Sequence, residues 1–290
     1  MKLSAAIFSL AFLATSCTTN RAIIDFTRGS DQLGAYLKVR LSLDSSEVVF
    51  YWAGAAYAFI PGQPTKKLFD FEGYNIAKAV KTAEGYDQLA REVMVFKDTG
   101  TGRVLDSWPN PYTGDTVEVF QIWNDPANVR LRQADFDAGK LPVHFTRMGD
   151  GQAGMYVDGW IAYPSPLPKK DFPENSRSDL YQAGELFSFF FNEKDLRNRK
   201  MPSIPCHFSW TRISDFMPWM RMADRPGHIV FVGRGYKLPD GFGALPDALK
   251  DYVLQQQPLF AKAPDSFSAP NMSSWKYFKK IMGERAAAKH

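Results

Sequence analysis

Cysteine is scarce: the 290-residue chain has two, Cys17 and Cys206. If Cys17 is lipidated, as argued below, Cys206 has no partner and no internal disulfide forms. Cys206 lies in an apolar run with no Lys, Arg or acid beside it, so it reads as an inert buried thiol. Histidine is scarce too, at four. His290 is terminal, and His144, His207 and His228 lie far apart with no local metal-ligand spacing, so no metal is expected. The motifs G-x-S-x-G, H-E-x-x-H, G-x-x-x-x-G-K-[ST] and G-x-G-x-x-G are all missing. Gly233-Arg234-Gly235 lacks the third glycine of the last, and no cofactor is expected. An excess of one charge is also lacking. The net charge is +4, acids and bases interleave, and the longest basic cluster is Lys276 to Lys280. That gives no stripe for a nucleic-acid backbone and excludes nucleic acid as the expected partner.

No apolar run approaches the roughly 20 residues of a membrane-spanning helix. The longest, Leu3 to Leu13, follows Lys2 and ends Leu13-Ala14-Thr15-Ser16-Cys17. A basic start, a short apolar run and small residues form a secretory signal. Its end resembles a bacterial lipobox, in which the Cys17 sulfur takes a lipid and becomes the new N-terminus. Thr18 stands where an inner-membrane lipoprotein would carry Asp. The expected arrangement is a signal over 1–17, a tether over 18–30 and one β-rich domain over 31–290. That domain would lie on the periplasmic side, joined to the outer membrane only through the lipid.

Long helical periodicity is missing from the first half, where strand patterns follow at short intervals. Ala35 to Leu43 alternates, with Leu37, Val39, Leu41 and Leu43 against polar neighbours, and predicts a strand. Glu47 to Trp52 would return from it, with Gly54 and the small residues near it marking a bend or bulge before Tyr57 to Ile60. Lys67 to Ile76 places Asp70, Glu72 and Tyr74 on one face and Phe69 and Phe71 on the other. Arg91 to Lys97, Arg103 to Trp108, Thr116 to Trp123, Leu141 to Met148, Gly154 to Tyr163, Cys206 to Ile213 and His228 to Val232 continue the series, and the very apolar Gly184 to Phe191 reads as a strand or a short helix. Pro164 to Pro173 holds four prolines and opens a loop running to Ser178, long enough for a lid or a partner-binding loop. Leu245 to Gln257 and Asn271 to Glu284 read as helices. The fold class is therefore mainly β: an antiparallel barrel, lipocalin-like or related, or a barrel-like sandwich, with C-terminal helices.

Aromatic residues are plentiful, at 14%. They concentrate with the ionisable groups between Pro205 and Gly235, a mixture that suits a small-molecule pocket. Alternation puts Arg212 on one face with Phe208 and Trp210, and His228 with Val230, Val232 and Arg234. An inward Arg among rings needs a partner, and Glu72, Asp70, Asp215 or a ligand oxyanion are the candidates. The candidate catalytic residues are His228, Arg212 and Glu72, and the candidate ligand contacts are Trp210, Trp219, His207 and Tyr74. The expected partner is an apolar, oxygenated small molecule, aromatic or polycyclic. It would be bound, or also transformed by cofactor-free acid–base chemistry of the isomerase or lyase type. The alternative is an envelope lipoprotein with a structural or protein-interaction role and no catalysis.

Several segments carry a resemblance. They are Asn110-Pro111-Tyr112-Thr113-Gly114 with Thr116-Val117, Asn124-Asp125-Pro126, Trp210 to Gly227 with Trp219-Met220 and Arg225-Pro226-Gly227, and Ser274-Trp275 with Tyr277-Phe278-Lys279. The chain resembles, over roughly 30 to 285, a bacterial family known as domain of unknown function 1838. The resemblance implies one folded unit that includes the C-terminal helices. It implies no activity.

Overall fold

The computed structural model describes residues 24–288. A large antiparallel sheet dominates. Its order along the hydrogen-bonded path begins with β6 (Ile122–Asn124), β3 (Gly85–Lys97), β2 (Lys66–Lys81) and β1 (Val48–Phe59). It continues through β12 (His228–Leu238), β11 (His207–Ser214), β10 (Leu180–Asn192), β9 (Gln152–Pro164) and β8 (Val143–Gly149). A short strand, β7 (Val129–Arg132), pairs with the start of β3, and β4 (Ser107–Pro109) pairs with β5 (Thr116–Glu118) as a separate ribbon. The protein is thus mainly β, with helices α4 (Asp247–Gln256) and α5 (Ser274–Ala287) near its C-terminal end. The path does not close, because β6 at one end and β8 at the other do not pair.

One prediction fails outright. Residues Gly29–Arg40 form a helix, α1, where a strand was expected over Ala35 to Leu43. Leu33, Leu37 and Tyr36 recur at helical spacing, while Ala35, Tyr36, Leu37, Lys38 and Val39 are buried in succession. A helix covered on several sides hides residues of every parity, so apolar residues at alternate positions do not mark a strand there. Lys38 is buried because its Nζ donates to the carbonyls of Leu196 (2.7 Å) and Asn198 (2.8 Å), at the end of α3 (Glu193–Arg197). Within the expected tether, Phe26 stacks on Phe145 with ring centroids 4.9 Å apart.

The sheet has two differently covered faces. On one, Val49, Tyr74, Ile76, Val93, Val95, Trp123 and Leu238 pack with Leu249 and Val253 of α4. The other carries Phe50, Trp52, Phe69, Phe71, Met94, Phe96, Phe189, Phe208, Trp210 and Phe231, and packs with α1 and with Trp275 and Phe278 of α5. We call this the ring face. β1 and β10 are three strand spacings apart, about 14 Å in a flat sheet. The rings of Phe50 and Phe189 nevertheless stand 5.9 Å apart. The sheet is therefore strongly curled around its ring face.

Glycine makes the curl and the crowding compatible. A Cβ at Gly54 would lie 2.0 Å from the Val232 carbonyl oxygen, and one at Gly235 would lie 2.6 Å from the Phe208 ring. β1 continues through Gly54, and its register against β2 shifts among the small residues that follow, between Ala56 and Tyr57.

The loop from Pro164 to Ser178 is packed, with Leu167 fully buried. Asn175 Nδ2 donates to the Pro218 carbonyl and Arg177 Nη1 to the Gly227 carbonyl.

Candidate functional site

Strand alternation and curl together build a cavity on the ring face. It is lined by Phe50, Trp52, Met94, Phe187, Phe208 and Trp210, with Arg40, Asn75, Glu92, Glu185 and Arg212 among them. These come from α1, β1, β2, β3, β10 and β11, which a flat sheet would spread too widely to converge. About 60 Å³ is open to the centres of water molecules. That is room for a few waters and well under the several hundred Å³ of a drug-sized site.

Arg212 stands where alternation places it, with Phe208 and Trp210. Its Nη1 donates to Glu185 Oε1 at 2.7 Å, and its Nη2 donates to the Tyr181 hydroxyl. Glu185 and Arg212 are direct cross-strand neighbours. Trp275 of α5 completes this corner, with its ring 4.6 Å from that of Tyr181 and 5.8 Å from the Arg212 guanidinium carbon. Burial alone would lower the Arg212 pKa, but Tyr181, Glu185 and Glu92 more than reverse it and hold the cation firmly charged. Burial also pushes the Tyr181 phenol up to about 12.

Glu92 is the group that single-residue reasoning passes over. It sits in β3 in register with Asn124, whose Nδ2 donates to Glu92 Oε1 at 3.2 Å. Among the described residues it makes no ion pair. Burial, with Glu185 nearby, pushes its carboxyl up to about 7, against the opposing pull of Arg212, the Asn124 hydrogen bond and Arg40. Arg40 lies with its guanidinium over Phe50 (4.6 Å) and Phe189 (5.3 Å), and it too makes no ion pair among the described residues.

Four of the lining residues hold a buried polar atom with no hydrogen-bond partner among the described residues: Trp52 Nε1, Trp210 Nε1, Arg212 Nε and Asn75 Oδ1. Trp52, Trp210 and Asn75 are each at least nine-tenths buried. Leaving a buried donor or acceptor unserved costs about 1–3 kcal/mol. Their clustering at one ring-lined cavity is therefore a chemical signature, with donors in the majority.

The other expected site residues lie elsewhere. His228 does share a face with Val230 and Val232, but that face is opposite the ring face, and His228 is exposed at the start of β12. Ile229 and Phe231 are the inward residues. His207 is exposed beside Tyr236, with centroids 6.1 Å apart. Glu72 is on the far face, where it pairs with Lys97 at 2.7 Å and accepts from the Tyr51 hydroxyl at 3.1 Å. Tyr74 is on that face too, buried, with its hydroxyl donating to the Phe260 carbonyl at 2.9 Å. Trp219 is buried among Phe69, Phe96 and Trp108, outside the cavity lining. Asp215 is 3.7 Å from Arg177 and leaves Arg212 to Glu185. Cys206 is buried, and burial pushes its thiol up to about 11, which keeps it protonated. Cys17 lies outside the described residues. Among the described residues no group of three or more His, Cys, Asp or Glu is placed to hold a metal ion.

No curated protein matches the chain. A family model described as "Protein of unknown function (DUF1838)" matches residues 45–282, which takes in every lining residue except Arg40. The chain belongs to this family, and the curled sheet with its ring-lined cavity falls inside the family's matched region.

Proposed function

We propose that the protein binds a small, apolar, oxygen-bearing molecule in the cavity on its ring face. The supporting observation is the set of partnerless polar atoms of Trp52, Trp210, Arg212 and Asn75 around an otherwise aromatic space. Three of the four are donors, which favours a ligand rich in acceptor oxygens. On this reading the curled sheet serves as an open-sided barrel, and the rings supply non-directional affinity while the polar atoms fix orientation. The cavity as it stands is smaller than a single ring needs, so a single ring enters only as the wall yields, and a polycycle less readily still. Met94, unbranched and adaptable, is the part of the wall that yields most readily.

The proposal includes the setting argued from the N-terminal sequence, in which a lipid on Cys17 holds the domain at the periplasmic side of the outer membrane. The binding site is tested by titrating the protein with benzoate and with phenol while following tryptophan fluorescence. Saturable quenching is expected, and Met94→Phe, which fills the cavity, should weaken it at least tenfold with the far-UV circular dichroism unchanged. Equal binding by a folded Met94→Phe protein would place the ligand elsewhere.

A further inference from the structure

We propose that Glu92 is the proton carrier for an enolisable carbonyl compound held in this cavity. The indole N–H groups of Trp52 and Trp210 and the guanidiniums of Arg40 and Arg212 would receive the oxyanion. The inference rests on the binding reading above and adds to it a substrate class and a reaction class.

The geometry supplies three parts that such a reaction needs. The first is a carboxyl group with a spare oxygen. Glu92 Oε1 takes the Asn124 amide, and Glu92 has no cation at ion-pair distance among the described residues. Glu185, the other acid in the lining, is already held by Arg212. The second part is a set of unspent donors in the same cavity, namely the two indoles and Arg212 Nε. The third is unspent positive charge, supplied by Arg40. The charged groups that face Glu92 are Arg40 of α1, Glu185 of β10 and Arg212 of β11. Burial and Glu185 bring its titration close to neutrality, where a carboxyl both takes and returns protons efficiently.

The step balances without a cofactor. The Glu92 carboxylate takes a proton from the carbon next to the carbonyl. The C–H pair becomes a C=C bond, and the carbonyl π pair moves to oxygen, where the donors meet it. Protonated Glu92 then delivers the proton to the far carbon of a conjugated system, since its return to the first carbon from the same face only regenerates the substrate. The carbonyl re-forms, and the product is an isomer of the substrate.

A phenolate is a stable mimic of the enolate, so 4-nitrophenol is the probe, with its ionised form read by its yellow absorbance. The wild-type protein should bind it as phenolate with Glu92 neutral. Above pH 7 the affinity should then fall about tenfold per pH unit as Glu92 ionises. Glu92→Gln, which keeps the shape and the Asn124 contact, should bind phenolate with an affinity that is flat from pH 8 to 9. Trp52→Phe and Trp210→Phe should weaken phenolate at least tenfold more than they weaken the neutral ether anisole, which loses ring contact alone. Identical pH profiles for wild type and Glu92→Gln, or a bound probe in its neutral form, would overturn the role of Glu92 and leave the binding site standing. No saturable binding of 4-nitrophenol or anisole by either protein would remove the cavity as a site, and the proton carrier with it.

Discussion

Replacing Glu92 by glutamine should stabilise the protein, and the gain should depend on pH in a defined way. The carboxyl titrates near 4.5 when solvated and near 7 in the fold. Below about pH 4.5 it is protonated in both states, and the substitution changes little. Between pH 4.5 and 7 the unfolded chain has released this proton and the folded one still holds it. Unfolding therefore releases a proton, and stability falls as pH rises through that window. Above pH 7 both states are ionised and the difference stays constant. A gap of roughly 2.5 pH units at about 1.4 kcal/mol each gives between about 3 and 4 kcal/mol. A glutamine at this position would escape that cost, since its side-chain carbonyl can still accept from Asn124. Urea denaturation at pH 4.5, 6 and 8 measures it. The variant should match wild type at the lowest pH and exceed it by about 3–4 kcal/mol at pH 8, moving the midpoint by about 1 M or more. A variant that is equally or less stable at pH 8 would show that Glu92 is not the half-buried, poorly compensated carboxylate the structure depicts, and would remove the basis for its proton chemistry.

The corner of the cavity formed by Arg212 can be probed by removing the cation. Arg212→Met leaves Glu185 and the Tyr181 hydroxyl facing rings and should cost about 3–5 kcal/mol in urea unfolding, most of it recovered by adding Glu185→Leu. The close approach of strands at Gly54 predicts that Gly54→Ala costs about 3 kcal/mol or more, because its Cβ would meet the Val232 carbonyl at 2.0 Å. By contrast, Gly34 on α1 has nothing within 4 Å of an added Cβ. Gly34→Ala should raise stability by about 0.5–1 kcal/mol in the same assay, through helix propensity. For the N-terminus, Cys17→Ser should abolish incorporation of labelled fatty acid and release the protein from the membrane fraction. Unchanged labelling would exclude Cys17 as the lipid site.

Strand content was largely legible because period-two alternation is a direct consequence of a sheet with two unlike faces. The pairing of Phe69 with Phe71 against Glu72 and Tyr74 is read correctly from β2 alone. What alternation cannot supply is which parity looks inward when both are apolar. In β12 the choice lay between Ile229 and Phe231 on one side and Val230 and Val232 on the other. The glycines hold the answer. A Cβ at Gly233 would crowd the rings of Trp210 and Phe71, and one at Gly235 the ring of Phe208. A glycine parity opposite large rings marks the crowded inner face, so His228 belongs outside. The same reasoning exposes the two acids of the cavity. Glu92 shares its parity with Met94 and Phe96, and Glu185 with Phe187, Phe189 and Phe191. A carboxylate in an aromatic register is costly unless paired, and in Glu185 the pair is found at its cross-strand neighbour, Arg212. Glu92 has no such pair among the described residues, and the convergence that gives it distant company depends on the curl. That curl arises from many small strand-to-strand rotations and glycine contacts spread over the whole sheet, and no single segment encodes it. Each strand therefore announces its own faces, while the meeting of β3 with β10 and β11 around one cavity emerges only when the sheet is assembled.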